Sequence, residues 1–98
     1  MPTLTLAQLV AGRDLAAAVV GKLGPIEDQR VVVDARPLIS GTTSFASQLV
    51  RSILVDARAK ELTLVGGPAD FAADVRSAAD RLELGDQVRT DAALDVAS

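Results

Sequence analysis

Residues 30–50, RVVVDARPLISGTTSFASQLV, contain the clearest structural signals in the sequence. Near the start of this stretch are three consecutive valines, and such a run without polar alternation is typical of a strand buried on both faces, as in parallel sheets. A loop containing Pro and Gly follows, and apolar residues then recur at helical spacing. The stretch therefore predicts a strand, a loop and a helix in that order.

Strand-like and helix-like patterns alternate along the rest of the chain as well. The predicted elements are a strand at 3–6, a helix within 7–24 that Gly12 opens and Gly24-Pro25 closes, a strand at 30–35, a helix at 43–59, a strand at 61–65, a helix within 66–84 beginning near Pro68, a short edge strand around Val88, and a last helical turn within 91–98. Strands that alternate with helices pair in parallel through right-handed crossovers. We therefore expect a single α/β domain over residues 1–98, with a small mixed, largely parallel β-sheet and the order β-α-β-α-β-α-β.

The composition excludes several classes of chemistry. The 98 residues include no Cys and no His, which removes disulfides, thiol nucleophiles and every histidine-based triad or metal site. No pair of carboxylates has a recognisable catalytic spacing, so the sequence predicts a protein that is not an enzyme and holds no metal or cofactor. The net charge is −3 and the basic residues are scattered, which argues against a nucleic-acid partner.

The sequence also argues against a membrane partner. Its longest purely apolar run, LAAAVV at 15–20, is far too short to cross a bilayer, and the N-terminus lacks the charged region of a signal peptide. We therefore expect a cytoplasmic protein. The bias toward Ala, Val, Arg and Asp with few Lys favours a bacterial or phage origin.

Two loops are expected at the rim formed by the carboxyl ends of the strands, where open α/β sheets bind their ligands. The first holds the hydroxyl cluster Thr42, Thr43 and Ser44 at the start of a helix. Capping is one interpretation, because a threonine oxygen there accepts an N–H of the first turn and contributes about 1 kcal/mol. The other is that one hydroxyl accepts a phosphoryl group, whose charge would suit the helix dipole and disrupt a partner surface packed there.

The second rim loop, 66–70, contains Gly66 and Gly67. An alternative function is a small-ligand-binding domain that uses the loops at 40–44 and 66–70, where these glycines and Arg36 could admit a nucleotide or another anion. The second loop lacks the spacing of a dinucleotide-binding loop and the lysine of a Walker loop, and Asp70 would repel a phosphate, so a structural turn is favoured. Asp34, at the end of a strand, is interpreted as stabilising its loop rather than as a metal ligand or catalytic acid.

Read together, these motifs resemble the STAS domain superfamily, which comprises the small domains of anti-sigma factor antagonists and sulfate-transporter tails. The family pattern is a strand ending in D-L-S, then D-S-S-G-L opening a helix, a strand like L-x-L-V-G, and a closing D-x-x-x-A-L. The matching pieces here are VVVDAR at 31–36, GTTSF at 41–45, ELTLVG at 61–66 and TDAAL at 90–94. The shorter loop and SFASQL at 44–49 look most like the STAS-like group of unknown function.

The resemblance implies a non-catalytic regulatory module that binds a protein, either an anti-sigma-factor-like kinase or another regulator. In the antagonists the first serine of D-S-S-G is phosphorylated; that position falls on Thr42, with Thr43 next to it, while Gly41 replaces the motif's aspartate. The predicted partner-binding residues lie within 40–49 and are Ser40, Gly41, Thr42, Thr43, Ser44, Phe45 and Gln48. Phe45 is placed both in the core and at the surface, and the chain is expected to be a monomer or a homodimer.

Overall fold

The computed structural model describes residues 2–90, in which three helices and six strands are found. The strands are β1 (Thr3–Thr5), β2 (Leu9–Val10), β3 (Arg30–Asp34), β4 (Ser40–Gly41), β5 (Glu61–Val65) and β6 (Val88–Thr90), and the helices are α1 (Arg13–Gly21), α2 (Thr43–Val50) and α3 (Ala69–Arg81). A π-helical segment, Arg51–Asp56, continues α2, and a 3₁₀ turn, Gly85–Gln87, precedes β6. The predicted last helical turn and most of the TDAAL match lie outside the described residues.

The main sheet has four strands in the order β1-β3-β5-β6, and each of its pairings is parallel. In its centre Val31 lies beside Leu62 and Val33 beside Leu64. The predicted α/β fold is therefore confirmed, including the parallel pairing of the strands at 30–34 and 61–65. Within residues 2–90 the sheet shows no antiparallel pair, so its predicted mixed character is not seen there.

The three helices form one layer over one face of this sheet. The inward side chains Val31, Val33, Leu62 and Leu64 are fully buried beneath them, and α2 packs between α1 and α3. The strands follow one another across the sheet in chain order, so crossovers of one hand place every helix on the same side.

The opposite face of the sheet is only partly covered, which corrects one prediction. Val32 and Thr63 lie half-buried on it, and Arg89 pairs there with Glu61 at 3.1 Å. The valine run was predicted to be buried on both faces, and that is wrong for Val32. Consecutive valines fit this strand because Val31 and Val33 supply the core and the intervening valine still suits a half-covered pleated surface.

Helix α2 supplies the centre of the core. Phe45, Leu49 and Ile53 are fully buried, as the helical spacing predicts. The ring of Phe45 lies 6.2 Å, centroid to centroid, from that of Phe71 in α3, a separation at which aromatic pairs attract each other. Helices α2 and α3 are thereby fixed against each other at the end of the sheet where their first turns begin.

The helix predicted over 43–59 changes its geometry after Val50. The amide of Ala57 donates to the carbonyl of Ser52, five residues back, at 3.0 Å. Ser52, Ile53 and Leu54, three consecutive residues of this wider π turn, are all buried. No helix within residues 2–90 is long and apolar enough to cross a membrane.

We predict that Gly41→Ala destabilises the fold by about 1–3 kcal/mol, the usual cost of overpacking. A Cβ at this position would lie 2.7 Å from Cδ1 of the buried Phe71 ring. Gly21→Ala is the matched control, because a Cβ there meets nothing within 4 Å and replacing a helical glycine is neutral or stabilising by up to about 1 kcal/mol. Chemical denaturation of both variants measures the difference, and equal stabilities would contradict the close approach.

Candidate functional site

The two rim loops that the sequence singles out lie against each other. Gly67 packs on Ala35, the residue after β3: a Cβ on Gly67 would lie 2.8 Å from the Cβ and 2.9 Å from the carbonyl oxygen of Ala35. Gly67 also has a φ of +87°, a conformation that favours glycine. Gly67 therefore lets the two turns meet at the carboxyl edge of the sheet. This agrees with the interpretation of the second rim loop as a structural turn.

A second, two-stranded sheet carries the first of these loops. Strands β2 and β4 pair in parallel, with Leu9 beside Ser40 and Val10 beside Gly41. The amide of Thr42 donates to the carbonyl of Val10 at 3.2 Å, which ties the start of α2 to the same pairing. The loop that contains the predicted partner-binding residues is thus held on both sides by backbone hydrogen bonds.

Thr42 is the N-cap of α2 and also joins two helices. Its Oγ1 accepts the amide of Phe45 at 3.1 Å and the amide of Gly12, the residue before α1, at 3.2 Å. The Oγ of Ser44 lies 3.2 Å from the same atom. The hydroxyl predicted as a phosphoacceptor therefore already satisfies two backbone donors, as the capping interpretation requires.

The neighbouring hydroxyl, Thr43, faces the third helix. Its Oγ1 donates to Oδ2 of Asp74 in α3 at 3.2 Å, and both threonines lie in exposed positions. A phosphoryl group on Thr43 would be placed beside that carboxylate and repelled by it. Of the two predicted acceptors, Thr42 is therefore the better placed to carry added negative charge.

Phe45 and Gln48 are not free surface groups. Phe45 is fully buried, so its placement among the partner-contacting residues is corrected: its ring supports the helix start from beneath. Gln48 is half-buried, accepts Nη1 of Arg13 at 3.5 Å and donates to Oγ of Ser52 at 2.9 Å. The exposed part of the predicted surface is therefore formed by Ser40, Thr42 and Thr43, with Gly41 and Ser44 partly exposed.

Asp34 and Arg36 form a closed pair at the start of the first loop. Both guanidinium contacts, from Nε to Oδ1 and from Nη2 to Oδ2, are 2.9 Å, and the amide of Arg36 also donates to Oδ1 at 3.1 Å. These hydrogen bonds, first from the Arg36 side chain and then from its amide, lower the pKa of Asp34 below its usual 3.8. The carboxylate thus stabilises the loop, and an incoming anion would have to displace it from Arg36.

The residues of the alternative ligand site are brought near one rim but serve packing. Gly66 is buried, Gly67 lies on Ala35, and the guanidinium of Arg36 is engaged by Asp34. Among the described residues, no group of three or more acidic side chains is placed to hold a metal ion. A shallow groove of about 260 Å³ between α1 and residues 51–57 contains none of the predicted site residues.

The surface beside the hydroxyl cluster contains two exposed aliphatic side chains that sequence reasoning missed. Leu9 on β2 is 69% exposed and Ile39, directly before β4, is 66% exposed. The amide of Ile39 donates to the carbonyl of Gln8 at 2.8 Å, so the segments that carry these two side chains are adjacent. We call Leu9, Ile39, Ser40, Thr42 and Thr43 the rim surface.

Comparison with protein-family models, with curated proteins and with solved structures finds no match to this chain.

We predict that Thr42→Ala lowers the free energy of unfolding by about 1–2 kcal/mol, the upper range for loss of an N-cap, because two backbone donors lose their acceptor. Thr42→Ser keeps the oxygen and should cost much less. Urea denaturation followed by circular dichroism measures both variants. Equal stability of the alanine and serine variants would show that the Oγ1 contacts contribute little.

The Asp34–Arg36 pair predicts a defined dependence on pH. Because the native pKa of Asp34 is lowered, its contribution to stability is complete above 3.8 and is lost as the pH falls through that value toward the native pKa. Wild type should therefore be more stable than Asp34→Asn at neutral pH, and the difference should shrink in acid below about pH 4. Thermal melts across this range test it, with Arg36→Gln expected to show the same trend; a difference that does not change with pH would contradict it.

Proposed function

We propose that this chain is a non-catalytic regulatory module that binds a protein partner through the rim surface. The observation that carries the proposal is the exposure of Leu9 and Ile39 beside a row of hydroxyl side chains at the start of α2. Covering these largely exposed aliphatic side chains with a partner is favourable because it removes apolar surface from water, and hydroxyls at their border supply directional hydrogen bonds. The resemblance to STAS domains of the antagonist type supports the same function and the same location.

Negative charge added at Thr42 would be well placed to control such a contact. Its Oγ1 sits at the N-terminus of α2, where negative charge is favourable for the helix. Charge added there would be tolerated by the fold and would oppose an apolar partner covering Ile39. We therefore propose Thr42 as the site where phosphorylation, by a partner kinase or another regulator, would release the partner.

The test uses affinity capture from cells of the native host, followed by crosslinking and mass spectrometry of the bound proteins. Ile39→Asp should abolish capture of a partner that wild type retains, because it places a charge on the apolar part of the rim surface. Val55→Asp is the matched control: Val55 is an exposed aliphatic residue in the π-helical segment, 39% accessible, and lies outside the rim surface. A partner retained equally by both variants would contradict the proposal.

Thr42→Asp separates regulation from folding in the same experiment. Aspartate is a good N-cap, so this variant should keep the helix start while adding negative charge. We expect unchanged circular dichroism together with loss of the partner, whereas Thr42→Ser should retain it. If thermal-shift assays with nucleotides and phosphate instead stabilise wild type but not Arg36→Gln, the module binds a small anion and the protein-binding proposal fails.

A further inference from the structure

We infer that two copies of this chain associate through β1, in antiparallel pairing about a two-fold axis that passes beside Leu4. The two sheets then join edge to edge into one. This inference uses a different surface from the rim surface and does not depend on the proposed function.

The hydrogen-bond pattern of β1 leaves alternate backbone groups unpaired at the edge of the sheet. The amide of Val32 donates to the carbonyl of Pro2 and the amide of Leu6 donates to the carbonyl of Asp34, both at 2.9 Å. In a parallel ladder this register turns the amide and carbonyl of Leu4 toward β3 and those of Thr3 and Thr5 outward. These outward groups have no hydrogen-bond partner among residues 2–90.

The β1 edge lacks the charges that usually protect an edge strand. Residues 1–12, MPTLTLAQLVAG, contain no Asp, Glu, Lys or Arg in a chain that is 23% charged. The opposite edge, β6, contains Arg89 and follows Asp86. Charged side chains on edge strands discourage pairing with other chains. Copies of a chain with net charge −3 repel each other in general, and the β1 edge is a surface on which they meet without a like-charge contact.

The edge is self-complementary about Leu4. When two copies run antiparallel, Thr3 lies opposite Thr5 of the partner subunit, and the outward amides and carbonyls of both residues meet their counterparts as hydrogen-bonded pairs. Leu4 then faces Leu4 of the partner subunit as a non-hydrogen-bonded pair, in which side chains approach most closely. Threonine pairs across strands are favourable, and the two leucines bury apolar surface against each other. Both the Thr–Thr and the Leu–Leu pairs therefore stabilise this register.

Helix α1 presents a matching apolar flank to the same side. The axis is perpendicular to the sheet, so the two helix layers lie on one side and the two α1 helices run next to each other. Arg13 on α1 reaches Gln48 of α2, and Leu15 lies about 200° further around the helix, on the flank away from α2. Leu15 is 41% exposed and Val19, one turn later on that flank, is half-buried. These side chains extend the apolar seam that Leu4 begins.

Light scattering coupled to size-exclusion chromatography gives the first test. Wild type at high micromolar concentration should show twice the chain mass of 10.1 kDa. Thr5→Pro removes an outward amide without breaking a bond inside the chain, and prolines are tolerated on edge strands, so this variant should keep its circular dichroism and run as a monomer. Leu15→Glu should also run as a monomer, whereas Val55→Glu, an equally exposed aliphatic position outside the seam, should remain dimeric.

Cysteine crosslinking tests the register, since the chain contains no cysteine of its own. The Cα atoms of a non-hydrogen-bonded antiparallel pair are about 4.5 Å apart, within the range that a disulfide spans. Leu4→Cys should therefore form a covalent dimer on mild oxidation, and Thr5→Cys, which faces Thr3 of the partner subunit, should form much less.

A wild-type mass of one chain would overturn the inference, as would a dimer that survives both Thr5→Pro and Leu15→Glu, or a folded Leu4→Cys variant that does not crosslink. Capture by the β1 edge of a strand from another protein, with no self-association, would also overturn it. None of the variants alters the rim surface, so partner capture through Ile39 is unaffected and the two proposals fail separately.

Discussion

The parallel pairing of β3 with β5 determines where the two rim loops lie. Because both strands run the same way and are in register over five residue pairs, their carboxyl ends finish at one edge. The loops that follow must then share that edge, and the packing of Gly67 on Ala35 shows how closely they do so. The rim residues from Ile39 to Thr43 follow β3 at this edge, and the pairing of β2 with β4 then holds them in place.

The rim is held by tertiary contacts that also connect the helices. Thr42 accepts a hydrogen bond from its own helix and another from Gly12, so the starts of α1 and α2 share one oxygen atom. Thr43 similarly links α2 to Asp74 of α3. A change at either hydroxyl therefore alters a contact between two helices.

Much of the fold could be predicted because its main strands and helices follow from sequence patterns within a few residues. The valine run and ELTLV identified the central strands, the spacing of Phe45, Leu49 and Ile53 identified the core face of α2, and Gly12 marked the start of α1. The capping role of Thr42 was also accessible from its place before an apolar-periodic segment. These features depend on neighbours within a few residues, where side-chain chemistry dictates backbone geometry.

The features that were missed arise between distant segments. Strands of two residues, such as β2 and β4, carry no periodicity, so the sequence did not predict that the segments carrying Leu9 and Ile39 are adjacent. The helices cover one face of the sheet because of the order of its strands. The need for glycine at position 41 comes from the ring of Phe71, which lies beside it. That contact makes positions 41 and 71 a volume-coupled pair. A larger side chain at position 41 is therefore accommodated most easily when a smaller one stands at position 71.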